Sequence, residues 1–135
     1  MDWRKQIAAL PVRRDEKGAL RVALVTSRET RRYVIPKGWP MAGRKDHAAA
    51  AQEAREEAGL KGKIGKKPIG SYTYEKRQRG GTVPVKVKVF LLEVVEELEA
   101  WPEQGERKRV WLSPAKAAAS VDEPELAEII MALEA

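Results

Sequence analysis

Residues 38–60 read GWPMAGRKDHAAAAQEAREEAGL. The alanine run in this stretch favours helix strongly. Glu53, Glu56 and Glu57 stand at i, i+3 and i+4 of that helix. At about 100° per residue, Glu56 lies about 60° behind Glu53 and Glu57 about 40° ahead of it. Three carboxylates therefore share one face within a single turn, where like charges repel. A divalent cation would relieve that repulsion, and an all-oxygen donor set favours Mg²⁺ or Mn²⁺ over Zn²⁺. A charged, solvated helix face is the plain alternative.

The surroundings extend this reading in both directions. Asp46 is a suitable N-cap, and Gly59 stands where a left-handed residue ends a helix. Ala50, Ala51, Ala54 and Ala58 form a small apolar stripe opposite the acids. Small side chains there let the helix approach a sheet closely. Gly38, Pro40 and Gly43 punctuate the loop that leads into it.

The stretch resembles the Nudix box, whose pattern is Gly, five residues, Glu, seven residues, then Arg-Glu-apolar-x-Glu-Glu-x-Gly-apolar. Gly38, Glu53, Ala54, Glu56, Glu57, Gly59 and Leu60 match it. Two positions depart: Arg44 stands for the loop glutamate, and Gln52 for the arginine before the first helix glutamate. In the family that arginine holds the glutamates in place, and Arg55, one turn from Gln52, is a candidate to replace it in part. The flanking pieces Arg32-Tyr33-Val34-Ile35-Pro36 and Glu106-Arg107-Lys108-Arg109-Val110-Trp111 resemble the diphosphoinositol polyphosphate phosphohydrolase branch, which also cleaves diadenosine polyphosphates.

The resemblance implies an α/β/α sandwich with a mixed β-sheet flanked by helices, as one domain over residues 1–135. It also implies Mg²⁺-dependent hydrolysis of a phosphoanhydride bond, with Glu53, Glu56 and Glu57 as metal ligands and catalytic groups. Glu53 is the first choice of base, and Glu97 or Glu103 could add a carboxylate. By matching position, Ser27, Arg28, Arg32, Lys37, Arg107 and Lys108 are candidate phosphate ligands. Arg44 joins them as a hypothesis, since an arginine fork binds phosphate oxygens in pairs.

Composition bounds the alternatives. The 135 residues carry 43% apolar and 34% charged side chains, enough for one core and a hydrated surface. No cysteine is present, which excludes disulfides, thiolate metal sites and a cysteine nucleophile. The single histidine, His47, sits in the first turn of the acidic helix and reads as a solvent-facing residue. No apolar run approaches the ~20 residues needed to span a bilayer, so the expectation is a cytoplasmic protein without a membrane partner. The net charge of +6 coexists with a local cluster of acids, so the positive surplus lies elsewhere and suits an anionic partner. A phosphorylated small molecule comes first and RNA second.

The remaining pattern predicts strands at Lys5–Val12, Leu20–Thr26, Arg32–Ile35, Ile69–Lys76, Val83–Val94 and Arg109–Leu112. Ser113-Pro114 starts a small helix, and Glu125–Leu133 makes a second with Leu126, Ile129, Ile130 and Leu133 on one side. Trp39 and Trp101 could stack on a base but read first as residues that stiffen loops. Tyr72 and Tyr74 read as sheet residues. Lys76, Arg77 and Arg79 lie at a hairpin tip that could reach a phosphate tail or RNA.

Overall fold

A computed structural model describes residues 3–134. The strands are β1 (Arg4–Arg14), β2 (Leu20–Thr26), β3 (Tyr33–Val34), β4 (Lys37–Gly38), β5 (Leu60–Ile64), β6 (Gly70–Gln78), β7 (Gly81–Glu97) and β8 (Arg109–Leu112). The helices are α1 (Asp46–Glu53), α2 (Pro114–Ser120) and α3 (Pro124–Ala132). All eight strands join one mixed sheet, with the path β3-β2-β1-β7-β5.

The centre of the sheet is the parallel pair β1 and β7, in register from Arg4 opposite Val85 to Val12 opposite Glu93. Residues Gln6 to Val12 are buried without a break, the pattern of a strand covered on both faces. Strand β7 is long enough to pair β6 along its first half and β5 along its second. The short β4 lies against β1, with Ile7 opposite Gly38, and so brings the start of the loop before α1 to the middle of the sheet.

Alternation along β1 divides the core in two. Ala8, Leu10 and Val12 face α2 and α3 together with Tyr72, Val85, Val87, Leu126 and Ile130. Ile7 and Ala9 face the opposite side, where they meet Ala49, Ala50, Ala54 and Ala58 of the acidic helix. Burying Leu126 and Ile130 contributes about 2 kcal/mol each to holding α3 down. The sandwich of helix, sheet and helices is therefore the architecture the sequence implied.

Several local expectations need correction. Ala49, rather than Ala51, completes the buried alanine stripe, because Ala51 is only half-buried. Asp46 does not cap α1. Lys45 holds the cap position, while the Asp46 carboxylate pairs with Lys88 Nζ at 2.9 Å. The strand β5 has no signature in the sequence: its two lysines are exposed, and its pairing with the edge of β7 supplies the order its own pattern lacks. Beyond Glu53 the acidic helix widens into a π-helical turn, Ala54–Ala58. Such turns are rare and concentrate at functional sites. Gly59 then ends the helix at φ 66°, as its position in the sequence required. At the other end of the chain, Ser113 caps α2 by accepting from Lys116 N, with Pro114 at the first helical position.

Candidate active site

The acidic turn is anchored from three sides. The alanine stripe seats it on the sheet, which leaves Glu57 buried and Glu53 half-buried. Gly38 lies directly over the Glu53 carboxylate, so that any side chain at position 38 would overlap it. Arg109 Nη1 donates to the carbonyl oxygen of Ala58 at 2.7 Å, satisfying the open end of the helix. The Arg109 guanidinium in turn stacks on the ring of Trp101, 4.4 Å from its centroid, and pairs with Glu97.

Electrostatics within the turn are unfavourable without a partner. Burial, then repulsion from Glu57 and Glu56, pushes the Glu53 carboxyl up to about 8. Burial raises Glu57 as well, opposed chiefly by the charge of Arg107. The two carboxyls raise each other's cost of ionisation, which a shared proton or a shared cation would relieve. Glu56 has a partner of its own: Gln52 Nε2 donates to its Oε2 at 2.8 Å. Gln52 thus holds a box glutamate from the position where the pattern has arginine, and Arg55 is exposed and plays no part in that bond.

Among the described residues, no three acidic or imidazole side chains are already gathered around one point. The donors nonetheless fit a hard divalent cation. Glu53, Glu56 and Glu57 offer only carboxylate oxygens, and the Glu53–Glu57 pair carries a repulsion that a cation would relieve. Of the two further acids considered, Glu103 joins this neighbourhood: its backbone N–H donates to Glu56 O, and its carboxylate accepts from Arg107. Glu97 is committed elsewhere, to Arg13, Arg109 and Trp111.

Arg107 links the acids to a basic cleft. Its side chain, only 10% exposed, reaches Glu103 at 2.7 Å, Glu57 at 3.7 Å and the carbonyl of Thr26 at 3.2 Å. The cleft beyond it holds about 250 Å³ and is lined by Ser27, Arg28, Arg32, Lys37, Tyr74, Lys76, Arg77 and Arg107, among others. Lys37 also borders the acids, since its backbone N–H donates to Glu57 at 3.3 Å. Its ammonium lies 5.1 Å from the Tyr74 ring centroid, and burial lowers its pKa against the pull of Glu57. Arg32 is held by Glu123 at 2.6 Å, and Arg28 by Glu106 at 3.5 Å.

Five of the seven residues proposed for phosphate binding thus line one cleft: Ser27, Arg28, Arg32, Lys37 and Arg107. Lys108 is exposed and does not line it, being fixed through its backbone N–H to Thr26 Oγ1. Arg44 lines a separate hollow beside α1. Lys76 and Arg77 join the cleft from the β6–β7 hairpin, whereas Arg79 is not among its lining residues. Tyr74, read from sequence as a sheet residue alone, also lines the cleft, because the long hairpin leans its open face over Lys37. Trp39 is 42% exposed, while Trp101 packs on Gly59 and Arg109 as a loop-stiffening residue should. His47 is half-buried rather than freely solvated, its ring 6.5 Å from that of Phe90.

A mixed sheet between helices, with a glutamate-bearing turn set over its centre, defines the class, and residues 4–133 match the NUDIX domain. The chain belongs to the Nudix family. Among its relatives, Nudix hydrolase 13, mitochondrial, of Arabidopsis thaliana is 36% identical over 111 residues, 76% of this chain and 54% of that protein. Diphosphoinositol polyphosphate phosphohydrolase 3-alpha of Mus musculus is 31% identical over 111 residues, 81% of this chain and 63% of that protein. The chain spans about half the length of the first of these curated relatives. In fold it is similar to a C. elegans Ap4A hydrolase solved as a binary complex, with TM-score 0.70 and 19% identity over 96% of this chain and 94% of that one. No helix among the described residues is long and apolar enough to cross a membrane.

Proposed function

We propose that this chain hydrolyses a phosphoanhydride bond in a polyphosphate-rich substrate, with Mg²⁺, or alternatively Mn²⁺, as cofactor. Dinucleoside polyphosphates come first as substrate class and diphosphoinositol polyphosphates second. One observation carries the reading: a cleft lined by six cationic side chains, with Glu29 and Glu75 also on its wall, adjoins the glutamate turn at the buried Glu57, which Arg107 reaches from the cleft. Linked phosphates need cations along their length and a charge-compensated point of cleavage, and the two regions adjoin in that order.

Glu53, Glu56 and Glu57 would hold the cation. When bound, it supplies charge neutralisation on phosphate oxygens and a more acidic water. Arg28, Arg32, Lys76 and Arg77 bind the phosphate chain, and Lys37 and Arg107 orient the end nearest the acids. Lys37 suits that place because partial burial strengthens its attraction for an anion. In this reading Glu53 accepts the proton of the attacking water, and Glu103 stabilises the charge on Arg107. For cellular location we propose the cytoplasm, on the charged composition; the plant relative is itself named as mitochondrial.

The test is a panel of diadenosine polyphosphates, a diphosphoinositol polyphosphate, nucleoside triphosphates and triphosphorylated RNA. Preference for a diadenosine or diphosphoinositol substrate supports the proposal. Preference for RNA makes the protein a 5′-end pyrophosphohydrolase instead. A catalytically weak nucleotide- or RNA-binding module is the competing reading, supported by Arg44 and Gln52 at the two altered box positions. Ligand binding in chelator without turnover in metal would favour it.

A further inference from the structure

The two altered box positions meet in space. Arg44 and Gln52 both line a hollow of about 600 Å³ between α1 and β5, on ground separate from the basic cleft. Its other lining residues include His47, Arg55 and Lys61, with the half-buried Ile64 as an apolar floor over the buried Leu92. No carboxylate lines it. Among the described residues, neither Arg44, Arg55 nor Lys61 has an acidic partner within ion-pairing distance.

Among the described residues, Arg4, Arg14 and Arg77, on strands, also lack an acidic partner within ion-pairing distance, but they do not share one hollow with Arg44 and Arg55. Six other arginines, Arg13, Arg21, Arg28, Arg32, Arg107 and Arg109, pair with acids. The box pattern would place a glutamate at position 44 and an arginine at 52, opposite charges around this same hollow. With Arg44 and Gln52 there instead, the acid is gone and the cations stand alone. Three uncompensated cations around a concavity with an apolar base are matched by a small anion of high charge.

We propose that this hollow is a second binding site, for a small molecule bearing linked phosphates. Arg44 and Arg55 provide paired donors for phosphate oxygens, Lys61 a point charge, and Gln52 a neutral amide donor. A nucleotide would use the apolar surface of Ile64, Ala48 and Ala51 for its base, whereas an inorganic polyphosphate would use the cations alone. The site adjoins the acidic turn through Gln52, whose amide is hydrogen bonded to Glu56. Occupancy is therefore placed to bear on the orientation of that glutamate.

His47 is the chain's single histidine and lines the hollow, so its imidazole resonances report on this site without overlap. The experiment is an NMR titration of the full chain in chelator, with inorganic tripolyphosphate in one arm and ATP in the other. The proposal predicts a saturable shift of the His47 signals. It predicts that Arg44→Glu, which puts the pattern's acid back, weakens half-saturation about tenfold or more. Lys76→Ala, in the basic cleft, should leave the His47 titration unchanged. A lower half-saturation with ATP assigns the floor to a base, and equal values assign the site to the phosphate chain alone. Arg44 is exposed, and the amide spectrum of each variant verifies its fold. No saturable shift up to about 10 mM ligand would overturn the proposal. So would an identical titration in an Arg44→Glu/Arg55→Glu double variant. Because chelator is present throughout, neither result depends on the hydrolase reading.

Discussion

Gly38 and Glu53, fifteen positions apart in sequence, occupy the same small volume: the Glu53 carboxylate fills the space where a side chain at position 38 would begin. The opening glycine of the box is thus required by a contact rather than by a turn. Gly38→Ala should displace Glu53 while leaving the core intact, since the overlapping atoms are the end of a flexible side chain. We expect about a hundredfold loss of turnover, typical of a misplaced catalytic group, with a melting temperature within a few degrees of wild type. Steady-state kinetics beside thermal melts measure both.

Removing the charge of Glu53 should stabilise the metal-free protein at alkaline pH. The sign follows from linkage. The Glu53 carboxyl lies near 8 in the folded chain against an ordinary 4.5, so between those values the native state binds more protons than the unfolded one. Stability in chelator should therefore fall as pH rises from 4.5 toward 8, and Glu53→Gln should abolish that part of the slope. Because the group is only half-buried, solvent screening limits the gain at pH ~9 to on the order of 1 kcal/mol. Thermal melts in chelator across this range provide the check, and a divalent cation should reverse the wild-type trend.

Arg107→Ala should cost stability as well as activity. The substitution leaves the carboxylates of Glu57 and Glu103 without their shared partner, at sites only 8% and 20% exposed. A loss of about 2–3 kcal/mol is expected, since breaking one side of a buried pair strands the other charge. Arg107→Lys should recover only part of it, because one ammonium cannot reach Glu103, Glu57 and the Thr26 carbonyl together. Urea unfolding of the three proteins compares these costs.

Gly59→Ala should destabilise for two separable reasons. The position has φ 66°, and an added methyl would overlap the Trp101 ring. We expect a loss of about 1–3 kcal/mol, combining backbone strain with the steric conflict. In a Trp101→Ala background, the same substitution should cost only the backbone part, about 1 kcal/mol. A double-mutant cycle on unfolding free energies measures the difference.

What sequence made legible followed local chemistry. Alanine helix propensity, Gly59 as terminator, the Ser113-Pro114 start and the valine alternation of β7 all act through neighbours in the chain. What it hid is tertiary. The π-turn changes the spacing on which a 100° projection of the glutamates depends, and no residue in Ala54–Ala58 announces it. Strand β5 is ordered by the edge of β7 rather than by its own pattern. Within the candidate site, the basic residues could be named because their types suit phosphate. Their convergence depends on the loop after β7 folding back, which sets Arg107 against Thr26 and Glu57. Arg44 shows the same dependence: its charge suits a phosphate, but the fold sets it at the hollow beside α1 rather than in the basic cleft.

The central claim is that the glutamate turn binds a divalent cation which the reaction requires. The most direct measurement is turnover of a diadenosine polyphosphate with Mg²⁺, with Mn²⁺ and with chelator, by wild type and by Glu53→Gln, Glu56→Gln and Glu57→Gln. The account predicts cleavage in metal, none in chelator, and losses of about a hundredfold or more in each variant, all of which should remain folded. Undiminished cleavage in chelator, or variants as active as wild type, would contradict it.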